Sequence, residues 1–99
     1  MKVKGWFKSK KSIPKEQCPC CDYISLTERA AYIICEICFW EDDGIDIDRI
    51  DAISGPNHMT LKQGRNNFKE FGACDFEMLK NVISEEQCKN YKHQPREVD

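Results

Sequence analysis

Residues 18–38 read CPCCDYISLTERAAYIICEIC. Cys18 and Cys21 are separated by two residues, and so are Cys35 and Cys38. Two intervening residues let a tight turn aim both thiolates at one point, and two such turns complete a tetrahedral four-sulfur site. Proline directly after Cys18 preorganises the first turn. The expected ligand set is therefore Cys18, Cys21, Cys35 and Cys38, holding one structural Zn2+. An iron–sulfur centre is the alternative, because four thiolates also bind iron. Thiolates fill all four positions and leave none open for water, which marks a structural rather than a catalytic ion.

The third cysteine of the first cluster, Cys20, cannot chelate easily beside Cys21, because adjacent side chains diverge. It is expected at the tip of the turn. Two roles stay open: a small turn-filling residue, or a reactive thiol with a lowered pKa beside the metal. Cys74 and Cys88 read as buried small hydrophobes. His58 has no suitably spaced partners for a second site. Asp46, Asp48 and Asp51 lack the glycine and terminal glutamate of a calcium loop.

Working outward, residues 22–26 look extended, 27–29 make a turn, and Ala31-Tyr32-Ile33-Ile34 is β-rich, which predicts a β-hairpin flanked by cysteines. Residues 45–53 alternate Ile and Asp as a strand or an ordered loop. Thr60 with Gln63 is a capping-box match opening a helix, and Leu61, Gly64, Phe68 and Phe71 share one face. Gly72 supplies a left-handed stop. Asp75 caps a second short helix, and Ser84 with Gln87 opens a last one to about Tyr91. Arg65 and Asn67 are expected to tie down the acidic loop by charge-assisted hydrogen bonds.

The chain has 99 residues, 40% of them apolar, and seven cysteines. One small domain that needs a staple fits those numbers. No apolar run is long enough to span a membrane. The start lacks the apolar core of a secretory signal, so the expected compartment is the reducing cytoplasm. Of 15 Lys/Arg, six lie in residues 1–15, which hold no acid; the remaining nine face 17 Asp/Glu, a balance of −8. A basic end on an acidic body disfavours nucleic acid and favours a basic protein partner. No Ser/His/Asp set, phosphate-binding loop or carboxylate pair points to an enzyme.

Three stretches, CPCCDYISL, ICEICFWEDDG and GPNHMTLKQGRNNFKEFGACD, together resemble the bacterial cysteine-rich CPCC family over about residues 18–77. Asp22 stands where that pattern has glycine, Glu36 where proline is frequent, and Gly64 where alanine is. The resemblance implies a small zinc-ribbon-like protein without enzymatic activity. It also implies an immunity protein that binds and neutralises a cognate bacterial toxin, plausible for an acidic body facing a basic toxin domain. Trp40, Glu41, Asp42, Asp43, Asp46 and Asp48 are then the candidate partner-binding residues.

The expected fold is small α+β: a zinc-ribbon β-hairpin with two zinc knuckles, then two or three short C-terminal helices. A single domain over 1–99 divides into a basic arm (1–17), the ribbon (18–43), an acidic loop (44–59), a helical part (60–92) and a flexible tail (93–99). Two other functions remain: a nucleic-acid-binding zinc ribbon using Trp6 and Phe7 of the arm, and a thiol redox or metal-handling protein using Cys20.

Overall fold

The computed structural model of the chain describes residues 13–98; Trp6 and Phe7 lie outside them. The fold is small α+β, with two short antiparallel hairpins, a few helices and a cysteine cluster. Strand β1 (Glu16–Gln17) pairs with β2 (Ile24–Leu26) across the first cysteine turn. The second turn is flanked by a single antiparallel bridge between Ile34 and Glu41. This differs from the expected hairpin of 22–26 with 31–34. A Cys-x-x-Cys turn folds the chain back on itself, so the segment before each turn pairs with the segment after it. Each cysteine pair thus closes its own hairpin. Glu16 and Gln17, expected in the basic arm, belong to the first of them.

The acidic loop is ordered without forming a long strand. Asp46 caps a 3-10 turn at Ile47–Arg49, accepting from the Ile47 N–H. Strands β3 (Ile53–Ser54) and β4 (Met59–Thr60) then form the second hairpin around Gly55-Pro56-Asn57-His58. The Asn57 side chain acts there as a strand neighbour. Its Oδ1 accepts from the Glu41 N–H at 2.9 Å and its Nδ2 donates to the Glu41 carbonyl at 2.8 Å.

Helix α1 (Leu61–Phe71) begins and ends where its sequence signals lie. Thr60 and Gln63 exchange both hydrogen bonds of the capping box, and Gly72 adopts φ 98°, donating to the Phe68 carbonyl. Asp75 caps the next segment, which is a 3-10 helix (Phe76–Asn81). Ser84 and Gln87 cap α2 (Glu85–Cys88). That helix stops short of Tyr91, and the chain continues to it through three-residue turns, with Asn90 donating to Gln87 and Tyr91 to Cys88.

The tail expected to fray is docked as far as Arg96. The Ile24 N–H donates to the Lys92 carbonyl, and the Gln94 N–H to the Asp22 carbonyl, placing 92–94 as a third strand-like segment beside β2. The His93 ring stacks on Tyr23 at 4.3 Å. Arg96 reaches Asp22 and Asp46, and this charge pairing secures a segment that has little apolar content of its own.

The core gathers Leu26, Ile37, Trp40, Ile45, Leu61 and Ala73 with Cys18, Cys20, Cys21, Cys35, Cys38 and Cys74. Cysteines supply half of it, so the aliphatic share is small for a domain of this length. Trp40 is completely buried and lies across α1 at Gly64. A Cβ on Gly64 would stand 2.7 Å from Trp40 Cζ3 and 3.4 Å from Cys20 Sγ. Glycine therefore occupies a helix interior, where alanine favours the helix by about 1 kcal/mol, because the indole needs the space. Gly64→Ala is expected to lower stability by about 1–3 kcal/mol despite that helix gain. Denaturant unfolding checks the sign, and an unchanged or raised midpoint would contradict the packing.

Candidate metal centre

The two cysteine turns share one backbone geometry. In the first, the Asp22 N–H donates to the Cys18 carbonyl at 3.0 Å and the Cys18 N–H to the Tyr23 carbonyl at 2.8 Å. In the second, the Phe39 N–H donates to the Cys35 carbonyl at 2.7 Å and the Cys35 N–H to the Trp40 carbonyl at 2.9 Å. The residue after each second cysteine is left-handed, Asp22 at φ 67° and Phe39 at φ 69°. Neither is glycine, the residue that adopts this region without strain. Surrounding contacts compensate: Phe39 packs on the core, and Asp22 is held by arginines.

These turns converge. The four Sγ atoms of Cys18, Cys21, Cys35 and Cys38 all lie within 4.8 Å of one another. Cys18 and Cys38 are 3.6 Å apart, Cys21 and Cys35 3.8 Å. All four are buried, and Cys18, Cys35 and Cys38 are at 0% exposure. Burial pushes the Cys18, Cys38 and Cys21 thiols up, while hydrogen bonds from Cys18, Cys21 and Cys38 push Cys35 down, helped by Ser25 Oγ at 3.1 Å. Four buried thiols in this packing are a ready donor set for a thiophilic cation, which favours the deprotonated form of every ligand. Four sulfurs about 2.3 Å from a central zinc would be about 3.8 Å apart in a tetrahedron, and the two measured contacts match that spacing.

Cys20 lies within the first turn, as expected, but it is buried there. It is 3% exposed and faces α1 at Gly64. Burial also pushes Cys74 up, to about 12, and raises Cys88. None of the seven cysteines is in a disulfide. His58 stays outside the cluster, in the β3–β4 turn, at φ 60°.

A second constellation surrounds the first: a chain of alternating carboxylates and guanidinium groups. Arg29 binds Asp42 through Nε at 2.7 Å and Asp46 through Nη1 at 2.6 Å. Asp46 receives Arg96 Nη1 at 3.2 Å. Arg96 Nε donates to Asp22 at 2.9 Å, and Arg65 grips the same carboxylate with both Nη atoms, at 2.8 and 2.9 Å. Burial alone would raise Asp22 and Asp46; Arg65 and Arg96 on Asp22, and Arg29 on Asp46, outweigh it and hold both below the ordinary range. Burial would lower Arg29, and Asp42 and Asp46 raise it instead.

This network engages much of the acidic stretch expected to face a partner. Trp40 and Asp42 are completely buried. Asp42 accepts from Arg29, Ala30 N–H and Gly44 N–H, which leaves it nothing to offer a partner. Asp43 accepts from Ser54 Oγ and the Ile45 N–H, and Asp46 is taken by Arg29 and Arg96. Glu41 is half-buried, with its backbone held by Asn57. Asp48 is exposed. Arg65 ties the first cysteine turn, not the acidic loop, donating also to the Pro19 carbonyl, and Asn67 donates to the Cys74 carbonyl. Asp22, Arg29 and Arg96 went unnoticed as organising residues. Asp22 at a position where glycine is expected was the one available signal.

The family model described as "Cysteine-rich CPCC" matches residues 16–89. No curated protein and no solved structure matches the chain.

Removing Arg65 would leave the Asp22 carboxylate, 5% exposed, with only Arg96 as a cation. Arg65→Ala is expected to lower stability by about 3 kcal/mol, and Arg65→Lys to recover only part, because an ammonium lacks the two-pronged grip. Because the Asp22 and Asp46 pKa values are depressed, their stabilisation is present above the ordinary carboxylate pKa and lost as pH falls through the lowered values. The stability difference between Arg65→Ala and the parent is therefore expected to shrink below about pH 4. Denaturant midpoints at pH 7 and in acid measure it; a pH-independent difference would remove the charge pairing from the explanation.

Proposed function

The chain belongs to the cysteine-rich CPCC family, and from that membership and its thiol cluster we propose a non-catalytic protein-interaction module stapled by one structural zinc ion. The observation that carries the proposal is the convergence of four buried Sγ atoms from two matching turns. Cys18, Cys21, Cys35 and Cys38 are the ligands. Zinc is favoured by the all-thiolate tetrahedral set and by the closed coordination, which leaves no position for substrate or water. A reducing compartment, the cytoplasm, suits seven unpaired thiols.

The interaction role is supported by charge. Outside residues 1–15 the chain carries nine Lys/Arg against 17 Asp/Glu, which suits a basic protein partner. We read the protein as an immunity protein that binds and neutralises a cognate basic toxin domain. Of the candidate acids, Glu41 and Asp48 remain available to such a partner, whereas Asp42, Asp43 and Asp46 are engaged internally. The burial of Cys20 speaks against the redox alternative, since a reactive thiol needs access. No helix among the described residues is long and apolar enough to cross a membrane.

Two measurements test the proposal. Elemental analysis of the purified chain is expected to give one zinc per chain, colourless, and Cys38→Ser to lose it; stoichiometric iron would replace zinc by an iron site. A structural ion is worth on the order of 10–16 kcal/mol in small zinc domains, more than a typical domain's net stability of about 5–15 kcal/mol. Chelation is therefore expected to unfold the cysteine turns, and unchanged circular dichroism after the ion is removed would refute the staple. For the partner, co-expression with the product of the adjacent gene is expected to rescue growth and yield a stable complex; neither effect would end the immunity role.

A further inference from the structure

Residues 92–96 lie beyond the stretch matched by the family model, yet they bind at its first cysteine turn. Tyr23 and His93 form an antiparallel bridge, flanked by Ile24 N–H to Lys92 carbonyl at 2.8 Å and Gln94 N–H to Asp22 carbonyl at 3.0 Å. His93 Nε2 donates to the Cys21 carbonyl at 3.1 Å, and Gln17 Nε2 donates to the Gln94 carbonyl. Three of these hydrogen bonds thus fall on residues 21–24. What the tail covers is a strand edge with its own N–H and C=O groups, the kind of edge to which an extended segment adds.

Charge makes the edge selective. Asp22, Asp42 and Asp46 are three carboxylates; Arg29 and Arg65 are the two cations bound to them from the body of the fold. One negative charge is left over, and Arg96 is what neutralises it. Arg96 does so as a fork. Its Nε and backbone N–H meet Asp22 at 2.9 and 2.8 Å, while Nη1 meets Asp46 at 3.2 Å. Spanning two carboxylates in this way suits a guanidinium and not an ammonium. Arg65 Nη2 completes the seat by donating to the Arg96 carbonyl at 3.2 Å.

The grip is polar and its outer members are solvent-facing: His93, Gln94 and Pro95 are exposed and Arg96 is half-buried. A segment held by a few peripheral hydrogen bonds and little apolar area is drawn from the least stable part of a fold. We propose that the Asp22–Ile24 edge, together with the Asp22 and Asp46 carboxylates, is an interaction surface for an extended, arginine-bearing segment of a protein partner, occupied in the free chain by its own residues 92–96 as a releasable strap. The identity of the outside occupant rests on the protein-interaction function proposed above; the edge and its strap do not. A partner segment must present backbone groups to Asp22 and Ile24 and an arginine about two residues beyond the paired stretch, as Gln94 and Arg96 do.

The test uses the full-length, metal-loaded chain and its Arg96→Ala variant, with amide hydrogen exchange followed by NMR. An unchanged ion content confirms that the variant is folded. Arg96→Ala is expected to speed exchange at the Ile24 and Gln94 amides by about 10- to 100-fold, the effect of losing a hydrogen bond to a charged group, with α1 amides unaffected. A synthetic peptide of residues 90–98, NYKHQPREV, is then expected to bind the variant and restore protection at Ile24, while the same peptide with alanine for its arginine does not. The wild-type chain binds the peptide more weakly, because its tethered strap competes at high effective concentration. Unchanged exchange in Arg96→Ala, or a peptide that fails to dock or docks without protecting Ile24, overturns the proposal and leaves the interaction module standing on its co-expression test. A docked peptide without a toxin partner upholds the edge and removes the immunity role instead.

Discussion

Four sulfurs from two separate turns have to meet at one point, and the rest of the fold is arranged so that they do. Cysteine turns are local objects; their convergence is not. Each turn fixes its own two sulfurs through a left-handed residue and a pair of backbone hydrogen bonds. What brings the two turns together is packing around Trp40, which continues directly from the second turn and is completely buried. Its indole lies across Gly64 of α1, beside Cys20 of the first turn. The glycine in a helix interior and the cysteine that does not chelate are thus both consequences of where one ring must sit. Cys20 fills the angle between helix, indole and cluster, which gives the third cysteine of the motif a packing role.

The second turn is fixed from the other side as well. The Glu36 carbonyl, between Cys35 and Cys38, accepts from the Ile83 N–H, its carboxylate accepts from the Tyr91 hydroxyl, and the Cys38 carbonyl accepts from the Cys74 N–H. A proline at position 36 would retain the carbonyl but not the carboxylate. The C-terminal third of the chain therefore clamps both turns, Tyr91 at the second and residues 92–96 at the first. Secondary structure contributes little of its own here: the strands are two or three residues long and α2 is one turn. Order comes from side chains and from the cluster.

Local signals were legible in the sequence and distant ones were not. The Cys-x-x-Cys spacing, the Thr60/Gln63 and Ser84/Gln87 boxes and the Gly72 stop each involve residues within four positions, so the geometry follows from the chain itself. The charged network joins residues 13 to 74 positions apart, as Arg29 with Asp42 and Arg96 with Asp22. No periodicity encodes such pairs. Read in sequence, EDDGIDID is a solvated acidic loop; in three dimensions Asp42 has turned inward to collect the N–H groups of Ala30 and Gly44, and Arg29 follows it. The hairpin error has the same origin. Residues 31–34 are rich in β-formers, but Tyr32 is left-handed and exposed, and they pair with the segment after the second turn: Ile34 bridges Glu41, and the Tyr32 N–H and Ile33 carbonyl bond Asp42. Propensity named the residue type correctly and the partner wrongly, because register is set by the cysteine turn and not by the strand.

Electrostatics links the two constellations. A tetrathiolate centre keeps a net negative charge even with a divalent cation inside it, and the nearest fixed charges must tolerate that. Arg65 answers to both sides: its Nη1 donates to the Pro19 carbonyl within the first turn while the same group binds Asp22. Placing Asp22 directly after Cys21 would otherwise set a carboxylate against the thiolates, and it would have to be protonated or driven out to solvent. With Arg65 and Arg96 on it, the carboxylate stays ionised and becomes the anchor for the tail. A glycine there would relieve the backbone and dissolve the network; an aspartate strains the backbone, at φ 67°, and in exchange couples the centre to the strap. In this chain the position after Cys21 is where the cysteine cluster, helix α1 and the tail meet, through Arg65 and Arg96 on one carboxylate.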